Sequence, residues 1–410
     1  MPETPDDAED PFAMVLAATE AARPTVTAAG GSEDRALAKV EAMIALMQAA
    51  IRNHPRFVAL EAAWRSLHRL VEAQEGAPAI VKLMPLTKRE VVRDLRDVQD
   101  PADSELSLLL WDEGLGAEEP FGLLLMDADF SAEPEDVLAL RGLAAAGAGA
   151  FVPVVAHAAP ALLDLANWSD LPGRRDFARV HEGPRHIAWR TLRDSEEARF
   201  LTLVGPRVLA RGGEGAPRWT GGGWVLAARI AAAFRRDGWA ASIEGREDGT
   251  EAGLPPMGAV PTECDPSDGQ EISLATLGLT LLVPRGADRA AVLLAPTLHN
   301  PPRFHAPSAT ADAAMAARLP WVLGMGRFLQ ALALRGAHEL HRGHGPAAAS
   351  RALNAWLQGL CGEDGPLAEA SAELPEAKGH PGVHLLAAKL RLRLPQGTPS
   401  AAHRVMLNLP

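Results

Sequence analysis

The sequence predicts a mixed α/β fold: layered sheets flanked by helices, ending in a β-hairpin. Three observations carry the α/β part. Apolar runs at 121–126 (FGLLLM), 151–155 and 200–209 have the length of strands buried on both faces. Helical stretches fall between the first of these runs, and strand, helix, strand at that spacing makes at least part of the sheet parallel. At the C-terminal end, Leu386, Ala388, Leu390, Leu392 and Leu394 alternate with Ala387, Lys389, Arg391 and Arg393. That period of two, followed by Pro-Gln-Gly-Thr-Pro and a last run at 404–409, reads as a half-buried hairpin.

Bulk properties narrow the function. A chain of 410 residues with 47% hydrophobic and 22% charged content is an ordinary globular composition, with length for about two or three domains. A formal charge of −12 argues against a general binder of nucleic acid or anionic membrane, since both need a basic footprint. Cys264 and Cys361 are too few and too far apart for a disulfide framework, or for CxxC chemistry, and read as buried thiols in a reducing compartment. The first ten residues are acidic and no apolar run reaches 18, so neither a secretory leader nor a membrane span is expected, and the location expected is cytoplasmic.

In chain order, 1–32 reads as a flexible acidic segment with one short helical stretch after Asp10-Pro11. Residues 33–53 form a helix with Leu37, Val40, Met43, Ile44, Met47 and Ile51 on one face. Pro55 breaks it, and Phe57, Leu60, Trp64, Leu67 and Val71 then recur at steps of three and four. Two helices joined at His54-Pro55 suggest a hairpin packed on a sheet or on another chain. A strand is expected at 79–86, then a helix to about 98 opened by the capping box Thr87-x-x-Glu90. Helices are expected at 106–111, 134–146, 224–236, 321–340 and 348–360, with short strands at 277–283 and 290–295. The Gly-, Pro- and acid-rich stretch 244–270 is a loop or a seam, which places domains at 33–260 and 261–410.

Candidates for chemistry are sparse. Asp127 and Asp129 follow the 121–126 run at the end where α/β sheets place ligands, so a metal-dependent hydrolase is one alternative. No phosphate-binding loop accompanies them. His338, Glu339, His341 and His344 are spaced three and three apart, not the four of HExxH. No catalytic, metal or cofactor residue is assigned. The stretch WRTLRDSEEARFLTLVGPRVL (189–209) packs six charges into 190–199 before turning apolar. Its pattern fits either a charged element used for docking or a solvated helix feeding a buried strand.

Several motifs in order resemble the large subunit of the type VI secretion contractile sheath, the TssC/VipB family. They are His54-Pro55-Arg56-Phe57 with Leu60-Glu61-Ala62-Ala63-Trp64-Arg65-Ser66-Leu67, then Pro120-Phe121-Gly122 through Asp127-Ala128-Asp129-Phe130-Ser131 and Pro134-Glu135-Asp136-Val137. WRTLRDSEEARF with Gly205-Pro206-Arg207 is the most recognisable, and Pro261-Thr262-Glu263, Leu277-Gly278 and Leu319-Pro320 follow. The resemblance runs from about residue 33 to the end. It implies a non-enzymatic subunit that pairs with a small sheath subunit (TssB/VipA-like) and stacks with copies of itself around an inner Hcp-like tube on a baseplate. A ClpV-type AAA+ unfoldase recycles such sheaths, and neighbours are stitched by strand exchange. The alternative outside enzymes is a non-polymerising adaptor binding one partner through the Phe57/Trp64 seam. Interface residues are expected at Phe57 and Trp64, at Arg190, Arg193, Glu197 and Arg199, and in the hairpin at Leu390, Arg391, Leu392, Arg393, Val405 and Leu407. The chain departs from the family in a shorter N-terminal region, a short 211–223 connection and the loss of an Asp-Arg-Arg-Glu-like run near 266–273.

Overall fold

The structure, a computed structural model, describes residues 31–77, 79–174, 176–177, 179–211, 217–238, 240–245, 250–251, 254, 260–362, 365–376, 384–393 and 399–408; at 32–33, 251 and 399–408 it describes backbone alone. The helical stretch expected after Asp10 and the 394–398 connection lie outside these residues.

The described chain opens with helices α1 (Ser32–Asn53) and α2 (Pro55–Gln74). His54 separates them and caps α2, its ring Nδ1 accepting from the Arg56 N–H at 3.3 Å, while Pro55 occupies the first helical position. The hairpin packs inward through small residues. Ala62 and Ser66 are its buried positions, and the Ser66 hydroxyl donates both to Ala62 O and to the Thr220 hydroxyl. The large apolar residues expected to be the packed face point outward instead.

Residues 79–86 differ from expectation: they carry no strand pairing. Thr87 then forms the anticipated capping box with Glu90 and starts α3 (Lys88–Asp97), followed by α4 (Glu105–Leu110). The central sheet contains β1 (Leu124–Phe130), β2 (Val154–Ala158), β3 (Leu201–Gly205) and β7 (Leu279–Leu281), in that order and all parallel. α5 (Pro134–Ala150) crosses between β1 and β2. β1 begins three residues later than its apolar run, because a register shift between Met126 and Asp129 lets pairing continue to Phe130↔Ala158. Asp127 and Asp129 therefore lie within the strand, not after it. β2 is displaced likewise: Phe151, in left-handed conformation (φ 58°), closes α5, and the Val152 N–H returns to Gly147 O before the strand starts. β7 joins this sheet from beyond residue 260.

Past α6 (Ile187–Asp194) and β3, the hairpin β4 (Val208–Arg211) and β5 (Arg218–Thr220) leads into α7 (Gly223–Asp237). The short strands β6 (Thr250–Glu251), β8 (Val283–Pro284) and β9 (Ala290–Ala291) form a small antiparallel sheet. Between them α8 (Asp268–Thr276) is an unanticipated helix, opened by a Ser267–Gln270 capping box. α9 (Pro307–Ala316) precedes the long α10 (Leu319–His341) and α11 (Pro346–Leu360). These two helices cover a three-stranded antiparallel sheet of β10 (Leu367–Glu373), β11 (Leu385–Arg393) and β12 (Pro399–Asn408). The expected hairpin is β11–β12. β10 is additional, and in β11 Leu386, Ala388, Leu390 and Leu392 are buried against the helices in strict alternation.

Candidate assembly surfaces

The 189–209 signature turns its arginines inward and leaves Asp194, Glu196 and Glu197 exposed. Trp189 and Leu192 are fully buried beneath α6. Arg190 donates to His181 O (2.5 Å) and Gly183 O (3.0 Å), so neither it nor Arg193 forms an i,i+4 pair. Arg193 donates from Nε to Leu298 O (3.1 Å) and from Nη2 to Thr276 O (3.2 Å), and its own carbonyl accepts from the Asn300 N–H at 2.6 Å. Asp194 accepts from Asn300 Nδ2 at 2.9 Å, and His299 Nδ1–H donates to Ser195 O at 2.8 Å. The signature is thus a bolt between 187–200 and 276–300. Its partners are backbone carbonyls that no pairing rule on sequence could find. Arg199 is buried against Glu196 (2.7 Å) and over the Trp321 ring, while Glu197 is exposed.

A histidine cluster lies behind this bolt. His181 donates from Nε2 to Leu162 O at 2.9 Å and packs edge-on to His186 and against Trp189. Burial pushes the His181 ring down to about 4, and burial also lowers His186 and His299. The folded His181 ring stays neutral down to about pH 4, whereas unfolded histidine takes a proton near 6.5. Its contribution is therefore complete above pH 6.5 and disappears as pH falls toward 4, worth on the order of 3 kcal/mol, and His186 and His299 act in the same direction. Thermal unfolding from pH 7.5 to 4.5 should show melting falling below pH 6.5, and His181→Phe should flatten that fall.

Asp127 is held by two donors, His157 Nε2–H at 2.9 Å and Trp224 Nε1–H at 2.8 Å, with the Gly223 N–H donating to His157 Nδ1 at 3.1 Å. Burial raises the Asp127 carboxyl, but the hydrogen bonds from His157 and Trp224 outweigh it and hold the group below its usual range. Gly221 makes this possible: a Cβ there would stand 2.1 Å from the His157 ring. The node fastens α7 to the sheet. Asp129 offers its carbonyl to Lys88 Nζ at 2.6 Å. Among the described residues, no three His, Cys, Asp or Glu side chains are placed to share a metal ion. The histidine run at 338–344 ends with His344 paired to Glu339 at 2.6 Å.

A second fastening, unseen in the sequence, holds the helical hairpin. Glu61 pairs with Arg65 (3.0 Å), Arg211 (3.1 Å) and Arg218 (3.2 Å), and Arg218 also donates to Arg52 O and Asn53 Oδ1. Burial works against the Glu61 carboxylate, yet the hydrogen bonds from Arg65 and Arg218 and the Arg211 charge keep it below the ordinary range.

The unspent surface is apolar. Trp64 is 59% exposed, Leu60 56% and Leu37 61%, and Phe57, Val40, Met43, Ile44, Met47 and Ile51 join them on the outer side of α1–α2. Ile80, Leu83 and Met84 are exposed as well. Clustered exposed apolar side chains of this kind mark an interaction surface. In the C-terminal sheet, Leu390 and Leu392 belong to the core, while Arg391 lies 3.9 Å from Glu369 and Arg393 donates to Gly362 O. Val405 and Leu407 pair by backbone with Ala388 and Leu386, and their side chains lie outside the described set.

A signature spent on the chain's own core, beside a broad open apolar face, defines a structural subunit of a larger assembly. Residues 34–218 match the family model VipB (EvpB/VC_A0108, tail sheath N-terminal domain). The chain is 29% identical to the type VI secretion system sheath protein TssC1 of Pseudomonas aeruginosa, in an alignment covering 85% of this chain and 81% of that protein. Both similarities support a large subunit of the type VI secretion sheath. Among the described residues no helix is long and apolar enough to cross a membrane.

Proposed function

We propose that this chain pairs with a small TssB/VipA-like subunit and polymerises from a baseplate into a helical sheath around an Hcp-like inner tube. Contraction of that sheath ejects the tube. The role is mechanical, not catalytic, and is played in the cytoplasm. One observation carries the reading: the C-terminal sheet ends on β12, which pairs only with β11 among the described residues and so offers a backbone edge to a neighbouring protomer. Each added backbone hydrogen bond nets about 0.5–1.5 kcal/mol, and several in register, repeated over many protomers, hold a lattice through a large rotation. Strand exchange through Arg391, Arg393, Val405 and Leu407, and partner docking at Phe57 and Trp64, belong to this proposal. Recycling by a ClpV-type unfoldase belongs to it too, through the segment after Asp10.

Removal of 399–410, which takes β12 and leaves the buried residues of β11 in place, tests the edge. The truncated chain should still co-purify with its small partner but form no tubes by electron microscopy. Full-length tubes from the truncated chain would remove strand exchange from the account.

A further inference from the structure

Residues 79–86 are a strand sequence without a strand. The run Ala79-Ile80-Val81-Lys82-Leu83-Met84-Pro85-Leu86 is apolar on both alternate faces, as strands buried on both sides are. Among the described residues, the N–H and C=O groups of 80–86 make no backbone hydrogen bond. Ile80 is 83% exposed and Leu83 66%. Buried, such groups must be paired, so this backbone is poised for a ladder that the isolated chain does not supply. In the central sheet β1 pairs only with β2 among the described residues. Lys82 lies 4.0 Å from Glu119 and over the Phe121 ring, while Lys88 Nζ reaches Asp129 O and sits over the Phe130 ring.

We propose that 79–86 is a docking strand, completed by β-augmentation from an extended segment of a different polypeptide, separately from the C-terminal hairpin. Charge selects against a second copy of this chain. The stretch 79–89 carries Lys82, Lys88 and Arg89 and no acid, so two copies would join like-charged segments. The antiparallel register that uses all of 80–84 would set Lys82 directly against Lys82, a destabilising pair. The strand that fits is apolar, with an acidic or neutral residue opposite Lys82. Pro85 selects the edge: it lacks an N–H, so the edge carrying 81, 83 and 85 is short of a donor, and the edge carrying 80, 82 and 84 keeps its full set. On the sheath reading, on which this inference rests, the partner is the small sheath subunit.

Hydrogen exchange on the complex of the full chain with its co-expressed small subunit tests this. The amides of 80, 82 and 84 should exchange at least ~100-fold more slowly than an unpaired backbone does. Lys82→Pro, which removes a donor from the pairing edge, should abolish co-purification, while Lys82→Gln should retain it. A complex that forms with unprotected 80–84 amides, or that tolerates Lys82→Pro, overturns the docking strand and leaves the sheath reading standing. Protection that appears in the chain alone and rises with its concentration would make the occupant a second copy and overturn the assignment. Failure of the two wild-type chains to associate would overturn this proposal and the sheath pairing together.

Discussion

Arg193→Glu is expected to lower the melting temperature of the heterodimer and to abolish tubes in the same preparation. The guanidinium donates to Leu298 O and Thr276 O, and burial lowers its proton affinity further than the neighbouring Asp194 charge restores it. Glutamate at this position removes two charge-assisted hydrogen bonds and turns a negative acceptor toward two carbonyl acceptors. Loss of a buried charged partner costs roughly 3–5 kcal/mol, and unfavourable new charge adds to it. Arg193→Lys, with a compact ammonium in place of a planar fork, should fall between. The measurement is thermal unfolding of the purified heterodimer alongside negative-stain imaging. Blocked tubes with unchanged melting would mean that Arg193 faces a neighbour instead of the chain's own 276–300 segment.

Glu61→Ala is expected to release the α1–α2 hairpin from the body while leaving the central sheet folded. Glu61 is the single acid among Arg65, Arg211 and Arg218, and the Arg218 side chain is only 6% exposed. Its removal takes the carboxylate away from a buried guanidinium, at a cost of about 3 kcal/mol. Limited proteolysis should cut within 32–74 much faster than in the wild type, with 124–360 still protected. Glu61→Gln, which retains an acceptor without the charge, should give an intermediate rate. An unchanged digestion pattern would show that the buried Ala62 and Ser66 contacts hold the hairpin unaided.

What the sequence revealed depended on whether an element's partner was local. Strands buried on both faces announce themselves: LTLVG at 201–205 and the alternation through 385–393 were legible because burial alone dictates their residues. β1 was legible in existence but not in extent, since Asp127 and Asp129 look like a turn until His157 and Trp224 are seen to receive one of them. β10, with the sequence LAEASAE, was invisible: its buried positions after Leu367 are Ala370 and Ala372, and alanine carries no β signal. The reverse happened at 79–86, where a strand pattern was plain and no strand forms, because its partner is not in this chain's described fold. The charges at 190–199 marked the family but not their task. The acceptors of Arg193 are backbone oxygens 83 and 105 residues away, beyond any spacing rule.

The central claim is that this chain is a polymerising sheath subunit. Co-expression with the small subunit, followed by negative-stain electron microscopy, tests it most directly. The account predicts long hollow tubes of regular helical repeat containing both chains in equal amounts. An equimolar complex that stays discrete at every concentration and never forms tubes would contradict it, and would make the protein an adaptor that binds one partner through its Phe57/Trp64 face.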